Sequence, residues 1–325
     1  MREREVIERL RLIATSPEAR GLADDVAVLE GLVITHDSMA EGVHFLPGDP
    51  PASVGWKLVA VNLSDIAAKG AAPAGALLSL TISGDGHWET AFLRGIEAAC
   101  ESYGLPLIGG DTINLPEGAP RVLGLTAIGR AGANVPHRGG GKAGDLLWLV
   151  GTVGDAAAGL ALLQADVNAV GPLVDIYRRP VPQLMAGSLL APHAHAMMDV
   201  SDGLLIDALR MAEASGCAIA IELDNLPLSN ALIAERGSDL KSRLLAATGG
   251  DDYALLAALP PEFDPATLSL PLGTRITCIG TLSAGGAPLS LTSGGGPVEL
   301  PERLGFEHQG HEHRAISASP MADRP

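Results

Sequence analysis

Carboxylates recur in this chain at one kind of position, beside a short apolar run and next to glycine or a second acid. Asp24 and Asp25 precede Val26-Ala27-Val28-Leu29, Asp37 follows the run Leu32 to Thr35, and Asp111 follows Gly109-Gly110. Asp199 closes Met197-Met198, Asp202 opens the segment that begins at Gly203, and Asp251-Asp252 follow Gly249-Gly250. Strand ends are where a rigid scaffold presents functional groups, and glycine beside a carboxylate lets a ligand approach the backbone. A set of hard oxygen donors of this kind suits Mg²⁺. Taken singly, each aspartate also fits ordinary turn and cap chemistry.

Asp65 is different. It lies in Asn62-Leu63-Ser64-Asp65-Ile66-Ala67, inside a stretch of helical character, where no cap explains an acid. A buried carboxylate must be paired or metal-bound. Lys57 and Lys69 are the cations nearest in sequence and are the alternative partners. The chain has no GxxxxGK[ST] loop, no protein-kinase signature set, no GxSxG elbow and no HExxH pair. Its 9 histidines are scattered, with His308, His311 and His313 in a polar C-terminal stretch where solvated imidazole is the ordinary reading.

The elements that must position these acids alternate between strand and helix. Val6, Ile7, Leu10 and Ile13 predict an opening amphipathic helix. Strands are expected over 26–29, 32–35, 76–83, 105–108 and 121–129, with helices over 54–69 and 88–103 between them. A second series follows: strands at 145–150, 197–199, 217–222, 253–259 and 275–282, and helices at 155–164 and 204–212. The stretch 131–144, with Gly132, Pro136, Gly139, Gly140 and Gly141, is the expected boundary. The domains are therefore read as 1–136 and 137–308, followed by an irregular tail, 309–325. Alternation in both halves predicts an α/β fold of mixed layers.

The composition narrows the partners. A chain of 325 residues with 47% hydrophobic residues has material for two cores. The formal net charge of −16 repels nucleic-acid phosphates and would repel a nucleotide as well, unless cations lie between. The 3 cysteines have neither metal spacing nor a disulfide framework, and the charged N-terminus lacks an apolar leader core. The expectation is a cytoplasmic protein with no nucleic-acid or membrane partner.

Eight segments, in order and spacing over roughly residues 20 to 310, resemble thiamine-monophosphate kinase. They begin with Asp24 to Leu29, Thr35-His36-Asp37, Glu41-Gly42-Val43-His44-Phe45 and Gly55 to Ala68. The series continues with Gly109 to Thr112, Arg138 to Asp145, Met198 to Leu204 and Gly249 to Tyr253. The wider superfamily holds aminoimidazole ribonucleotide synthetase, selenophosphate synthetase and a hydrogenase-maturation protein. The resemblance implies the two-domain aminoimidazole ribonucleotide synthetase-like fold, with the N-terminal domain binding ATP and Mg²⁺ and forming a homodimer interface. It implies transfer of the ATP γ-phosphate to thiamine monophosphate. Carried over residue by residue, the metal ligands are Asp25, Thr35, the backbone around His36, Asp37, Asp65, Asp111, Asp199 and Asp202. Gly110, Asp111, Arg138 and Ser201 would hold ATP, and His44, Asp251 and Phe306 would face the acceptor. The chain departs from the family pattern at Ala23, usually Gly, at His36, usually Thr or Ser, and at Asp251, usually Glu. The alternative functions are a ligase or cyclase of the aminoimidazole ribonucleotide synthetase type and a non-catalytic nucleotide-binding module.

Overall fold

A computed structural model describes residues 3–307; the expected tail 309–325 and His308, His311 and His313 lie outside the described residues. In the first half α1 (Glu3–Arg11), β1 (Ala27–Leu29) and β2 (Leu32–Ala40) lead to α2 (Pro51–Ala68). β3 (Ala72–Ile82), α3 (Gly86–Tyr103), β4 (Leu107–Asn114) and β5 (Val122–Arg130) complete it. The strands form one sheet in the order β1-β2-β5-β3-β4, antiparallel except for β3 with β4. Asp85 caps α3 by accepting from the backbone N–H groups of His87 and Trp88, and Gly104 ends it in the left-handed conformation.

The second half holds β6 (Leu146–Val150), α4 (Asp155–Ala165), α5 (Pro172–Arg178), α6 (Leu184–Leu190), β7 (Ala196–Val200) and α7 (Leu204–Ser215). β8 (Ala218–Glu222), α8 (Asn230–Arg236), α9 (Leu240–Thr248) and β9 (Ala254–Leu259) follow, then β10 (Ile276–Ser283), β11 (Leu289–Ser293) and β12 (Gly296–Val298). Its sheet runs β12-β11-β8-β10-β6-β9-β7, antiparallel except for β8 with β11.

α2 positions the site. It is apolar around most of its circumference, and it is buried accordingly, from Ser53 to Ala68 with the exception of Trp56. One face packs on β2 and β5 and another on α3, while its C-terminal end meets α6, β7 and β9 of the second half. Two close approaches need glycine. A Cβ on Gly95 of α3 would lie 2.0 Å from the carbonyl of Ala52, and one on Gly187 of α6 would lie 2.0 Å from that of Ala67. Ala67 and Ala68 thus join Leu190, Met197 and Leu255 in an apolar cluster across the two halves.

The strands run further than expected. Asp37 lies inside β2, and Gly109 to Thr112 lie inside β4, because the ladders with β5 and β3 continue past them. Those ladders satisfy backbone donors and acceptors, which outweighs the poor strand preference of Asp and Gly. Helices α5, α6, α8 and α9 occupy stretches left unassigned from the sequence. Local signals were present in Pro172 at the start of α5 and in the caps Ser229 and Asp239, but helices this short carry little periodicity. α1 forms, yet Val6 and Leu10 are exposed.

Candidate active site

The acids converge at the seam between the halves. Asp25 precedes β1, Asp65 sits on α2 and Asp199 on β7, and each offers an oxygen within 4.8 Å of the others. Thr35, also buried, donates its hydroxyl hydrogen to Asp65. Two residues along β2, and so on the same face, Asp37 adds a fourth carboxylate. Its backbone N–H is held by the Asn62 side chain of α2 at 2.9 Å.

These charges are poorly compensated. Burial pushes the Asp65 carboxyl well above the ordinary range, and Asp37, Asp199 and Asp25 add to it. Burial and the Asp25 charge do the same to Asp199. Asp37 is pushed up to about 6 by burial and by Asp25, with a smaller push from Asp202. Asp25 goes the other way: burial acts upward, but the charges of Lys69 and Arg138 hold its carboxyl well below the usual range. Lys69 Nζ is 2.9 Å from Asp25 Oδ2 and supplies the charge that faces this buried oxygen. Hard oxygen donors and the excess negative charge of Asp37, Asp65 and Asp199 together fit a divalent cation such as Mg²⁺.

The cations expected beside Asp65 are placed elsewhere. Lys69, fully buried, bonds to Asp24 Oδ1 at 2.6 Å and to the Met197 carbonyl at 2.9 Å, tying α2 to β7. Lys57 binds Asp251 Oδ2 at 2.8 Å. Neither ion pair involves Asp65. Asp207, Arg210 and Asn62 were not singled out from the sequence. Asp207 is buried on α7 and accepts from the N–H groups of Ser201, Asp202 and Gly203 at 3.1–3.2 Å. Arg210 bridges Asp207 and Asp202. The i,i+3 spacing of Asp207 and Arg210 is the signal in the sequence for this clamp.

Ser201 and Asp202 therefore sit on a held loop beside Asp199. Phe306 joins them through its backbone N–H on the Asp202 carbonyl at 2.9 Å. Asp251, whose backbone N–H donates to the Ser201 carbonyl at 2.7 Å, is on the same side. Its positive φ of 69° is unusual for a non-glycine residue. Arg138 pairs with Asp25. His44 accepts from the Ala40 N–H at Nδ1, 3.0 Å, which places a neutral ring's proton on Nε2.

Three expected residues are not brought together with these in one chain. The His36 ring lies on the opposite face of β2, with Nδ1 2.8 Å from the Thr126 hydroxyl, so only its backbone borders the site. Asp111 is exposed and shares a register row with Ser79, Gly124 and Ser38, on that same outer face. β5 and β3 separate β4 from β2, a distance of roughly 14 Å at ordinary strand spacing. Gly110 travels with Asp111.

Two sheets meeting over a seam of carboxylates define the class. Residues 23–131 match the family described as "AIR synthase related protein, N-terminal domain" and residues 142–288 its C-terminal counterpart. Thiamine-monophosphate kinase of Salmonella typhimurium is 37% identical over 309 residues, covering 91% of this chain and 92% of the relative. The Escherichia coli K12 protein of that name is 37% identical, with 89% and 91% covered. A solved structure described as "AaThiL complexed with AMPPCP and TMP" superimposes with a TM-score of 0.81 at 32% identity, covering 95% of this chain and 97% of that one. The chain belongs to the thiamine-monophosphate kinase family. No described helix is long and apolar enough to cross a membrane.

Proposed function

We propose that this protein transfers the γ-phosphate of ATP to thiamine monophosphate, giving thiamine diphosphate and ADP. The observation that carries the reading is the meeting of Asp25, Asp37, Asp65 and Asp199 from four separate segments at one buried seam. In this reading Mg²⁺ is held by Asp25, Thr35, Asp37, Asp65, Asp199 and Asp202, with the backbone around His36. Bound there, Mg²⁺ would screen the repulsion between two phosphate groups and stabilise charge on the transferred oxygens. Arg138 and the Ser201 loop face ATP. The acceptor phosphate has a second pKa near 6 and is mostly a dianion at neutral pH, so no general base is required. His44, with its proton on Nε2, donates to that phosphate, while Asp251 and Phe306 border the thiamine portion.

Gly110 and Asp111 enter this reading from a second copy. Edge strand β4 is exposed along its length and carries Leu107, Ile108 and Ile113. An unprotected apolar edge of this kind favours pairing with another chain. A homodimer through this face carries Asp111 toward the partner's metal site, which its own sheet keeps out of reach. Since ATP is the donor, the reading places the protein in the cytoplasm. Of the family departures, Ala23 has φ −117°, open to any residue, and costs no strain.

The test is an assay with ATP, Mg²⁺ and either thiamine monophosphate or thiamine. Thiamine diphosphate and ADP in equal amounts, from the monophosphate alone and only with Mg²⁺, are expected. Free phosphate without thiamine diphosphate would favour the ligase or cyclase; binding without turnover would favour a non-catalytic module.

A further inference from the structure

Lys57 has no part in the phosphate and metal contacts above, yet it is buried at the middle of the acceptor side, on the most enclosed helix of the molecule. Its ammonium donates to the His44 carbonyl at 3.0 Å and to Asp251 Oδ2 at 2.8 Å, and lies 4.2 Å from the centre of the Tyr177 ring. These partners come from the turn after β2, the loop before β9 and helix α5. They belong to both halves of the chain. An ammonium has three N–H donors; a carbonyl and a carboxylate oxygen take two of them, and the Tyr177 ring lies beside the charge. Lys57 is thereby held by groups from both halves.

Asp251 is committed as well. Its second oxygen accepts from the Tyr253 hydroxyl at 2.9 Å, and the backbone N–H groups of both residues are held by the carbonyls of Ser201 and Val200. Both residues have positive φ, 69° and 52°. A conformation of this cost persists where its surroundings over-determine it.

We propose that Lys57 is a positioning residue for the acceptor: it sets His44 and Asp251 at a fixed separation across the seam, so that the site is shaped for a phosphorylated cation before the ligand arrives. The inference rests on the assignment of His44 and Asp251 to the acceptor side. Through Lys57 the acid's charge is balanced internally, and its place is fixed relative to an imidazole that donates to phosphate. Loss of Lys57 leaves the Asp251 carboxylate without its counter-ion and frees the His44 turn, while the ATP-facing Arg138 and the Ser201 loop keep their own bonds.

The experiment compares wild type with Lys57→Met, which keeps the buried methylenes, and Lys57→Arg, which keeps the charge. Steady-state rates are measured against thiamine monophosphate and, separately, against ATP, alongside melting temperature. Lys57→Met is expected to raise KM for thiamine monophosphate about tenfold or more, the loss expected for a charged hydrogen bond, with KM for ATP nearly unchanged. Lys57→Arg is expected to recover part of that loss. Combining Lys57→Met with Asp251→Asn should cost less than the two single effects together, because the residues act as one unit. Equal shifts in both KM values, or a lower melting temperature with both KM values unchanged, would overturn the proposal. If Lys57→Met fails to fold, Lys57→Gln, which keeps a hydrogen-bond donor but no charge, decides: a wild-type KM for both substrates would refute the positioning role. Calorimetric binding of thiamine monophosphate is run in parallel. Wild-type binding without product formation would count against the kinase reading, whereas weaker binding by the variants would still support Lys57.

Discussion

Replacing Asp37 by Asn should stabilise the metal-free protein while damaging its function. In the folded chain the Asp37 carboxyl is raised from 3.8 to about 6, first by burial and then by the Asp25 charge. A shift of this size corresponds to roughly 3 kcal/mol. The sign follows from proton counting. Between the two values the folded state binds more protons than the unfolded one, so stability falls as pH rises from about 4 to about 6 and stays reduced above that. Asn carries no charge to bury. At about pH 7.5 the variant should gain up to ~3 kcal/mol over wild type in the presence of a chelator, a rise of several degrees in melting temperature. Added Mg²⁺ should reverse the order, because a ligand bound only to the folded state stabilises it by mass action and wild type binds the ion more tightly. Thermal melts at about pH 4 and about pH 7.5, each with chelator and with Mg²⁺, test every part of this, since the advantage of Asn should vanish at the lower pH. A variant that melts below wild type in chelator at the higher pH, or gains equally from Mg²⁺, would refute the uncompensated-carboxylate account.

Asp65→Asn, at the centre of the cluster, should lower turnover by orders of magnitude with the far-ultraviolet circular dichroism of wild type. Asp111→Asn should do the same, and mixing these two inactive variants should restore about a quarter of wild-type activity if each site draws Asp111 from the other copy. No recovery after subunit exchange would return Asp111 to its own chain's account. Lys69→Met should destabilise the fold by about 3–5 kcal/mol, read by denaturant unfolding, because Asp24 and Asp25 lose a buried counter-charge. Asp207→Asn should raise KM for ATP by loosening the loop of Ser201 and Asp202, and an unchanged KM would show that the three N–H bonds to Asp207 are dispensable.

Much of this protein is legible along the chain. Apolar residues at helical spacing mark α7, the run closed by Gly104 marks α3, a long apolar run closed by Gly70 marks α2, and the glycine-rich stretch 131–144 lies between the two sheets. Asp65 stood out because an acid amid Val61, Leu63 and Ile66 has no local explanation, and it proves to be at the centre of the cluster. Local chemistry is enough for such inferences: a carboxylate's cost in an apolar helix does not depend on what surrounds the helix.

Faces and partners are another matter. Whether His36 or Asp37 points inward is decided by the register of β2 against β5, and a shift of one residue would exchange them. Asp111 looks equivalent to Asp37 in the sequence, yet two intervening strands and the opposite face separate it from the other acids of its own chain. Lys57 and Lys69 lie on the same helix as Asp65, but each reaches past it to an acid distant in sequence, Asp251 or Asp24. The chemical character of the site was thus set by residue types alone. Which groups share it depended on sheet order and domain docking, because hydrogen-bond ladders and buried contacts between remote segments fix where each side chain ends.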